Sequence, residues 1–547
     1  MNAIQTLLTD HIAIWTDADT EKKSGRGRSA GNAASVYGIR KLRELILELA
    51  VRGKLVPQDN DWNPTCLGDL GRWAVGSGFP TREQGLLGLE ILFAKVSDMN
   101  LPENTKFIVT TNHTISREAA KRLRVNIHPA GTVVFPKIGG AIATNKRRIL
   151  SKPTAIDNNC LGLIPNDGVS TEWLYLFLTS IDFTRYQAGT SVPALAQGVL
   201  EEIPALLPPL AEQHRIVAKV DELMALCDQL ETRHNNAAEA HEKLVSHLLT
   251  TLTESQSAAD FTANWQRIAA HFDTLFTTEA SIDALKQTLL QLAVMGKLVP
   301  QDPNDEPASA LLKRIQAEKA KLIAEGKIKK DKPLPPIAED EKPFDLPQGW
   351  EWARLDELAR LITKGSSPKW QGVSYTDNPE DVMFVTSENV GSYTLLLDSP
   401  KYVEKKFNDI EPRSILENGD FLMNIVGASI GRTAVYDIDI LANINQAVCL
   451  IRISTFDLSR MFLLHFFNSE TCLEYMFDKQ VDNARPNLSM GNIAKFLIPI
   501  PPLAEQHRIV AKVDELMALC DQLKTRITAA NQLQQKLADV VVEQAVA

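Results

Sequence analysis

The spacing of apolar and polar positions predicts two long helices. The first follows Pro208 and Pro209, two residues that cannot continue a helix, and the second lies near the C-terminus. In both, apolar or small residues recur at alternating steps of four and three, which places them on one helical face. These seam positions are Ile216, Val220, Leu223, Cys227 and Leu230 in the first helix, and Ile509, Val513, Leu516, Cys520 and Leu523 in the second. An uninterrupted helix of about forty residues would be about 60 Å long.

A seam of this kind has two interpretations. A single heptad pattern is most often the core-facing side of a helix within one domain. Here two nearly identical seams are separated by unrelated sequence, which favours pairing with one another. We therefore predict a long antiparallel two-helix coiled-coil spacer, in which the seam residues join the helices or dock other subunits.

Internal repetition is the most informative feature of the sequence. Residues 208–230, PPLAEQHRIVAKVDELMALCDQL, recur letter for letter at 501–523, 293 positions later. A second pair, LELAVRGKLVPQD at 47–59 and LQLAVMGKLVPQD at 290–302, is separated by 243 positions. Since chance does not produce 23 identical residues, the chain contains a duplication.

The two different offsets are reconciled by a circular arrangement of the repeats. The central helical block, 208–302, begins with the first motif and ends with the second. The C-terminal block, 501–547, carries only the first motif, and the N-terminal helical block, 1–59, carries only the second. Joined end to start, the terminal blocks would rebuild a second copy of the central block. We therefore predict pseudo-twofold symmetry and termini that meet in space.

Two long inserts, 60–207 and 346–500, lie between the repeats and differ widely in sequence. Each contains the pattern of a strand, a glycine turn and another strand, beginning at Gly131 and at Gly419. We interpret them as one mixed α/β fold used twice, which makes the whole chain an α+β protein. The charged, Pro-rich segment 303–345 before the second insert predicts a helix followed by an extended linker.

Composition and charge limit the class of protein. At 547 residues the chain is too long for one hydrophobic core. Its six cysteines are scattered without a Cys-x-x-Cys pair, which favours a reducing cytosol over disulfides or structural zinc. We expect a cytoplasmic protein, because we find neither a signal-peptide pattern nor a run of about 18 apolar residues. The net charge of −10 does not itself indicate nucleic acid, although DNA binding requires only local positive potential.

The two repeated motifs, with the KPLPP…LPQGWEW entry into the second insert, resemble the conserved regions of DNA specificity subunits of Type I restriction–modification systems. The resemblance covers essentially the whole chain. It implies that the inserts are target-recognition domains for the two halves of a split DNA site, and that the helices set their separation. One departure is the segment EKKSGRGRSAGN at 21–32, which interrupts the N-terminal block and is either a flexible loop or a basic arm that touches DNA.

The resemblance also implies partners and cofactors. Two modification subunits would methylate adenine with S-adenosylmethionine, and restriction subunits would translocate and cut DNA with ATP and Mg²⁺. No cofactor or metal is expected on this chain itself.

Candidate DNA contacts lie where polar clusters follow glycine turns, because groove recognition needs hydrogen-bonding side chains. In the first insert they are Arg82, Lys137, Thr144, Asn145, Lys146, Arg147 and Arg148. In the second insert they are Lys364, Ser366, Ser367, Lys369, Gln371, Arg432, Arg485 and Asn487. For any single residue the alternative is a solvated surface position, and phosphate contacts should outnumber base contacts.

Signals of catalysis are missing from the sequence. We find no Asn/Asp-Pro-Pro-aromatic motif of amino-methyltransferases, no P-loop and no convincing nuclease carboxylate cluster. The sequence therefore predicts recognition without catalysis. Two alternatives stay open: a coiled-coil scaffold, which would not require two large divergent inserts, and an enzyme with duplicated catalytic domains, which would require chemical residues repeated in both.

Overall fold

The fold consists of two compact units, one formed by residues 1–239 with 529–547 and the other by residues 240–528. Both units combine helices with β-sheets, as the predicted mixed α/β class requires. The computed structural model describes residues 12–16, 18, 36–58, 61–189, 192–329, 334–453, 457–478 and 488–546. The segment 21–32, in which a loop or a basic arm was predicted, lies outside the described residues.

The described helices, α1–α16 in chain order, are Ile12–Thr16, Tyr37–Val51, Arg117–Leu123, Thr171–Ser180, Gln197–Glu201, Leu210–Thr253, Ala258–Ala270, Phe272–Leu275, Glu279–Val294, Ala308–Ala324, Leu355–Leu358, Lys406–Ile410, Arg460–Phe467, Glu470–Asp478, Met490–Ala494 and Leu503–Val546. The described strands of the first unit, β1–β13, are Asn63–Cys66, Gly71–Val75, Ile91–Ala94, Phe107–Ile108, Thr114–Ile115, Ile127–His128, Val133–Pro136, Arg148–Leu150, Thr154–Ile156, Cys160–Pro165, Gln187–Ala188, Ala194–Leu195 and Pro204–Leu207. Those of the second unit, β14–β23, are Glu351–Arg354, Ala359–Lys364, Tyr375–Thr376, Val382–Val385, Tyr402–Val403, Phe421–Asn424, Thr433–Val435, Ala442–Ile444, Val448–Ile453 and Leu497–Ile500.

The first unit contains two main sheets. A five-stranded sheet has the order β2-β10-β7-β8-β4, and a four-stranded sheet has the order β5-β3-β9-β6. In the second sheet β3 runs parallel to β9, whereas β10 is antiparallel to both of its neighbours in the first. The core lies where α2, α4 and the first half of α6 pack on the five-stranded sheet.

The second unit repeats the central part of this topology. One sheet has the order β15-β22-β19-β20, and the other has the order β16-β18-β17-β21. Again β22 is antiparallel to both neighbours and β17 runs parallel to β21. Strands β15, β22, β19 and β20 therefore correspond to β2, β10, β7 and β8 of the first unit, and β17 and β21 correspond to β3 and β9. The two inserts therefore share a common core of strands, whereas β4 and β6 of the first and β16 of the second have no counterpart.

The glycine turns differ in detail from the prediction. Strands β7 and β19 form as expected after Gly131 and Gly419. In the first unit the chain then enters a 3₁₀ turn, Gly140–Thr144, before β8 begins. Gly139 has a φ of 77°, and the amide of buried Ile142 bonds back to its carbonyl, so the segment predicted as a strand curls instead.

Both long helices form, and each contains 44 residues. The seam of α6 is buried in the first unit, where it packs with α2 and with Ala538 near the end of α16. Its buried members are Ile216, Val220, Leu223, Cys227 and Leu230. The partners of this seam are therefore α2 and the last turns of α16.

The seam of α16 packs in the second unit. Ile509 and Val513 lie against Leu290 and Ala293 of α9. Leu516, Cys520 and Leu523 contact α9 and the last turns of α6, which contribute Val245, Leu249 and Leu252. The five listed seam positions of one helix do not pack on those of the other, because α2 and α9 cover most of these apolar faces, although each seam also meets the far end of the other long helix. Heptad spacing identifies a buried face and not the helix that covers it.

The second repeated motif acts as a helix stop. In both copies a glycine in the left-handed region follows the helix, Gly53 with a φ of 69° after α2 and Gly296 with a φ of 71° after α9. The next amides bond back to the last turns, Lys54 to Leu49 and Lys297 to Leu292, at 3.0 and 2.8 Å. Only glycine adopts this conformation without steric cost, which accounts for its presence in both copies.

Candidate nucleic-acid interface

A buried joint fastens the first α/β domain to α6. Glu212 and Gln213, in the first turn of that helix, are buried. Trp62, just before β1, donates its indole N–H to Glu212 Oε1 at 3.0 Å. The amide of Ser170, which caps α4, donates to Gln213 Oε1 at 2.7 Å. Gln213 Nε2 donates in turn to the carbonyl of Pro208 at 2.9 Å.

The second α/β domain is fastened to α16 by an equivalent joint. Trp350 donates to Glu505 Oε2 at 3.0 Å, and the capping residue of α13, Ser459, donates its amide to Gln506 Oε1 at 2.8 Å. Gln506 Nε2 donates to the carbonyl of Pro501 at 2.9 Å. Burial raises the pKa of Glu505, an effect that the bond from Trp350 reduces.

These joints give a physical reason for the identity of the Pro-Pro-Leu-Ala-Glu-Gln segments. Two buried polar side chains need fixed partners, and unpaired buried groups cost about 1–3 kcal/mol each. Sequence reasoning missed this role. The available signals were a tryptophan near the start of each insert and a Glu-Gln pair in each repeat, but each tryptophan is separated from its glutamate by 150 or more positions.

One of the predicted DNA contacts in the first domain, Arg147, is internal. Arg147 is 2% exposed, and its guanidinium donates to the carbonyls of Leu178, Lys146 and Ile181 and lies 4.0 Å from the centre of the Phe183 ring. Burial lowers the pKa of Arg147. A guanidinium with these contacts cannot reach a base, so the prediction for Arg147 is wrong.

Arg148 is also engaged with backbone. Its guanidinium is half-buried and donates to the carbonyls of Asn104, Arg147 and Met99. These bonds hold the start of β8 against neighbouring loops, and because the side chain is partly exposed, a DNA contact at Arg148 stays a prediction. A run of basic residues thus combines structural and exposed members.

The remaining predicted residues of the first domain reach the surface to different degrees. Thr144 and Asn145 are exposed, although the Asn145 amide donates to the Thr179 carbonyl at 2.9 Å. Lys146 is half-buried and bonds to the side chain of Asn100. Lys137 is half-buried beyond β7, and Arg82 is exposed on the connection between β2 and β3. Their roles in DNA contact stay predictions.

In the second domain five of the eight predicted residues lie between the end of β15 and the turn Pro368–Gln371. Lys364 and Lys369 are exposed, whereas Ser366 and Ser367 are half-buried. Gln371 donates to Ser366 Oγ at 3.0 Å and to Glu411 Oε1 at 2.8 Å, which ties the turn to a neighbouring segment. The two lysines are therefore the members of this cluster that can meet a phosphate directly.

Arg432 is exposed between the 3₁₀ turn Gly427–Ser429 and β20. Arg485 and Asn487 lie outside the described residues. Within the described part of the chain, no group of three or more His, Cys, Asp or Glu side chains could hold a metal ion. Among the same residues, no helix is long and apolar enough to cross a membrane.

Comparison with known proteins identifies relatives of this chain. The sequence profile of the family described as "Type I restriction modification DNA specificity domain" matches residues 60–240 and 347–532. The Type I restriction enzyme EcoEI specificity subunit of Escherichia coli is 35% identical, with 99% of this chain and 100% of that protein covered. The EcoAI specificity subunit of the same species is 33% identical, with both chains fully covered. The HsdS subunit from Thermoanaerobacter tengcongensis is similar over 90% of this chain and 98% of that one, with 19% identity and a TM-score of 0.40.

Proposed function

The chain belongs to the Type I restriction–modification DNA specificity family, and from this premise we propose that it selects the DNA site for a Type I restriction–modification complex. One observation carries the proposal: two α/β domains with the same core strand order and different sequences are each fastened to a long helix by an equivalent buried joint. Two domains that are attached to their helices in the same way but differ in surface are suited to recognise two different DNA sequences at a fixed separation.

The two recognition domains are proposed to comprise residues 60–207 and 346–500, with 303–345 as the entry to the second. Because their surfaces differ, the recognised site has two unlike halves and an unspecific spacer. Catalysis belongs to other subunits, and S-adenosylmethionine, ATP and Mg²⁺ bind there. The complex acts in the cytoplasm.

The test is to map methyladenine across the genome of the host with and without this gene. We expect a bipartite, non-palindromic motif whose methylation disappears when the gene is deleted. An uninterrupted palindrome as the motif, or methylation that is unchanged by the deletion, would contradict the proposal.

We also propose that the repeats are arranged circularly around a two-helix spacer formed by α6 and α16. Contacts between the terminal blocks support this: Tyr37 of α2 donates to the Asp539 carboxylate of α16 at 2.7 Å, and Arg52 donates to the carbonyl of Val546 at 3.2 Å. Equivalent ion pairs lie in the two units, Arg43 with Asp228 and Lys286 with Asp521. The first members of these pairs are 243 positions apart and the second members 293, as the repeat offsets require.

The partners of this chain dock on the outer faces of the two long helices. Buried seam residues explain only part of the 23-residue identity, because an outward stripe is also identical and exposed in both copies. It comprises Ala211, His214, Ala218, Asp221 and Ala225 in α6, and Ala504, His507, Ala511, Asp514 and Ala518 in α16, together with the exposed leucines that flank it on the side of the seam, Leu226 and Leu519. We call each stripe a repeated outer face. Two identical faces fit two copies of one partner, the modification subunit.

Leu226→Glu and Leu519→Glu should each weaken the binding of one modification subunit about 10-fold. These leucines are 39% and 48% exposed, and a carboxylate in an apolar contact is costly to desolvate. Native mass measurement of the purified complex should show one modification subunit lost in either variant and both lost in the double variant.

Leu533→Glu is the matched control, because Leu533 is exposed on α16 outside the repeated outer face. It should retain both modification subunits. If both single variants also retain two subunits at the concentration where the wild-type complex begins to dissociate, docking on this face is wrong.

A further inference from the structure

Trp370 presents an unusually large apolar surface to solvent. Its side chain is 74% exposed in the 3₁₀ turn Pro368–Gln371. Tryptophan buries more apolar area than most residues when it finds a partner, and exposed large aromatic side chains are enriched at binding surfaces. The exposed indole of this turn is therefore suited to contact another molecule.

The turn that carries Trp370 is held in place. The amide of Val373 bonds to the carbonyl of Pro368 at 2.9 Å, and Gly372 closes the turn with a φ of 66°. The bonds of Gln371 to Ser366 and Glu411 brace it on either side. An aromatic ring on a braced turn loses little conformational entropy on binding, which favours a defined contact.

Lysines lie in the segments that carry and flank this ring, together with the carboxylates of Glu404 and Glu411. Lys369 is exposed on this turn and Lys364 at the end of β15 before it, and the helix α12, which packs beside the turn, is preceded by exposed Lys405 and begins with exposed Lys406. Lys406 shares its charge with Glu404 at 2.8 Å. Lysines beside an aromatic ring suit a nucleic acid, because its phosphates can bind the lysines and its bases can pack against the ring.

The first domain has apolar side chains at the same topological position. The connection from β2 to β3 corresponds to the connection from β15 to β17, and it exposes Leu86 and Leu87 by 48% and 68%. Gly85 and Gly88, both with positive φ, shape this tip. The sequences of the two connections differ, yet both present large apolar groups. Exposure of large apolar side chains on both connections, despite their different sequences, indicates that both connections have the same function.

We propose that this connection is a base-contacting element in both recognition domains, and that Trp370 makes an apolar contact with a base in the half-site of the second domain. The inference rests on the proposed function and adds a specificity-determining residue to it. Leu87 has the corresponding role in the other half-site. Lys369 contacts phosphate and contributes affinity without sequence preference.

The test uses the full chain assembled with its modification subunits. The probes are a duplex that contains the mapped motif and duplexes in which one base pair of either half is exchanged. Binding is measured by fluorescence anisotropy at one fixed salt concentration. Trp370→Ala should weaken binding to the motif about 10-fold and remove most of the preference at one or two base pairs in one half-site. Trp370→Phe should retain most of that preference.

Three variants serve as controls. Leu87→Ala should relax preference only in the opposite half-site, and Lys369→Ala should weaken all duplexes by a similar factor. Trp265→Ala removes a partly exposed tryptophan on α7, outside both recognition domains, and should change neither.

Three results would overturn the inference. Trp370→Ala could retain wild-type preference at every base pair, or it could lose modification subunits instead of DNA preference, which would make the ring a protein contact. A wild-type complex without preference for the mapped motif would overturn the proposed function itself. That last result is distinguishable, because it appears before any variant is made.

Discussion

Insertion of four alanines after Leu230 should reduce methylation at the native site by more than about 100-fold, or shift it to sites with a different spacer. Leu230 lies within the continuous helix α6, whose residues pack in the first unit up to this point and in the second unit from Val245 onward. Four residues add about 6 Å and rotate the following residues by about 40°. One half-site would then be out of reach, and each lost base-pair contact costs about 1–3 kcal/mol.

The measurement is the same genome-wide methyladenine map, made in a host that carries the variant. The half-site sequences should stay unchanged while the spacer changes or methylation is lost. Replacing exposed Asn235 and Asn236 by alanine leaves the helix length unchanged and is the matched control, which should methylate as wild type.

Exchange of residues 60–207 for the domain of another family member should have the reciprocal effect, with one half-site altered and the spacer kept. Its junctions have to preserve Trp62, because the indole is part of the joint with Glu212. An insertion in α6 that altered base preference within a half-site would show that spacing and reading are not separable.

The features that could be predicted from sequence are those with a period or a repeat. Pro208 and Pro209 mark the start of α6, and the heptad seam identifies its buried face correctly. The partner of that face could not be predicted, because α2 and α9 offer equally apolar stripes. A period determines which side of a helix is buried, whereas the covering element depends on packing across the whole unit.

The sequence predicts the candidate site only where the side chains themselves form a recognisable pattern. The basic run at 144–148 is recognisable in sequence, but the groups that bury Arg147 are backbone carbonyls more than thirty positions away. Every residue has a carbonyl, so such partners leave no sequence signal. The role of Glu212 and Gln213 in the joint could not be predicted either, because polar residues are common in the first turn of a helix and these two do not stand out.

Arg147→Met should destabilise the first recognition domain by about 3 kcal/mol without changing the DNA sequence it reads. The substitution leaves the carbonyls of Leu178, Lys146 and Ile181 without this donor and removes the contact with Phe183. Unpaired buried acceptors are costly, whereas release of a buried charge offsets part of the loss. For a domain of about 150 residues this corresponds to a fall in melting temperature of roughly 10 °C. Differential scanning calorimetry of the full chain would measure it.

Arg432→Met is the matched control for Arg147→Met, because Arg432 is exposed in the second domain. It should change the melting temperature by less than about 2 °C, since surface substitutions rarely exceed about 0.5 kcal/mol. Anisotropy with motif duplexes should show that folded Arg147→Met protein keeps the half-site preference of the wild type. An Arg147→Met protein that melts like wild type and loses that preference would instead restore Arg147 as a DNA contact. The two readouts separate a residue that supports the reading surface from one that belongs to it.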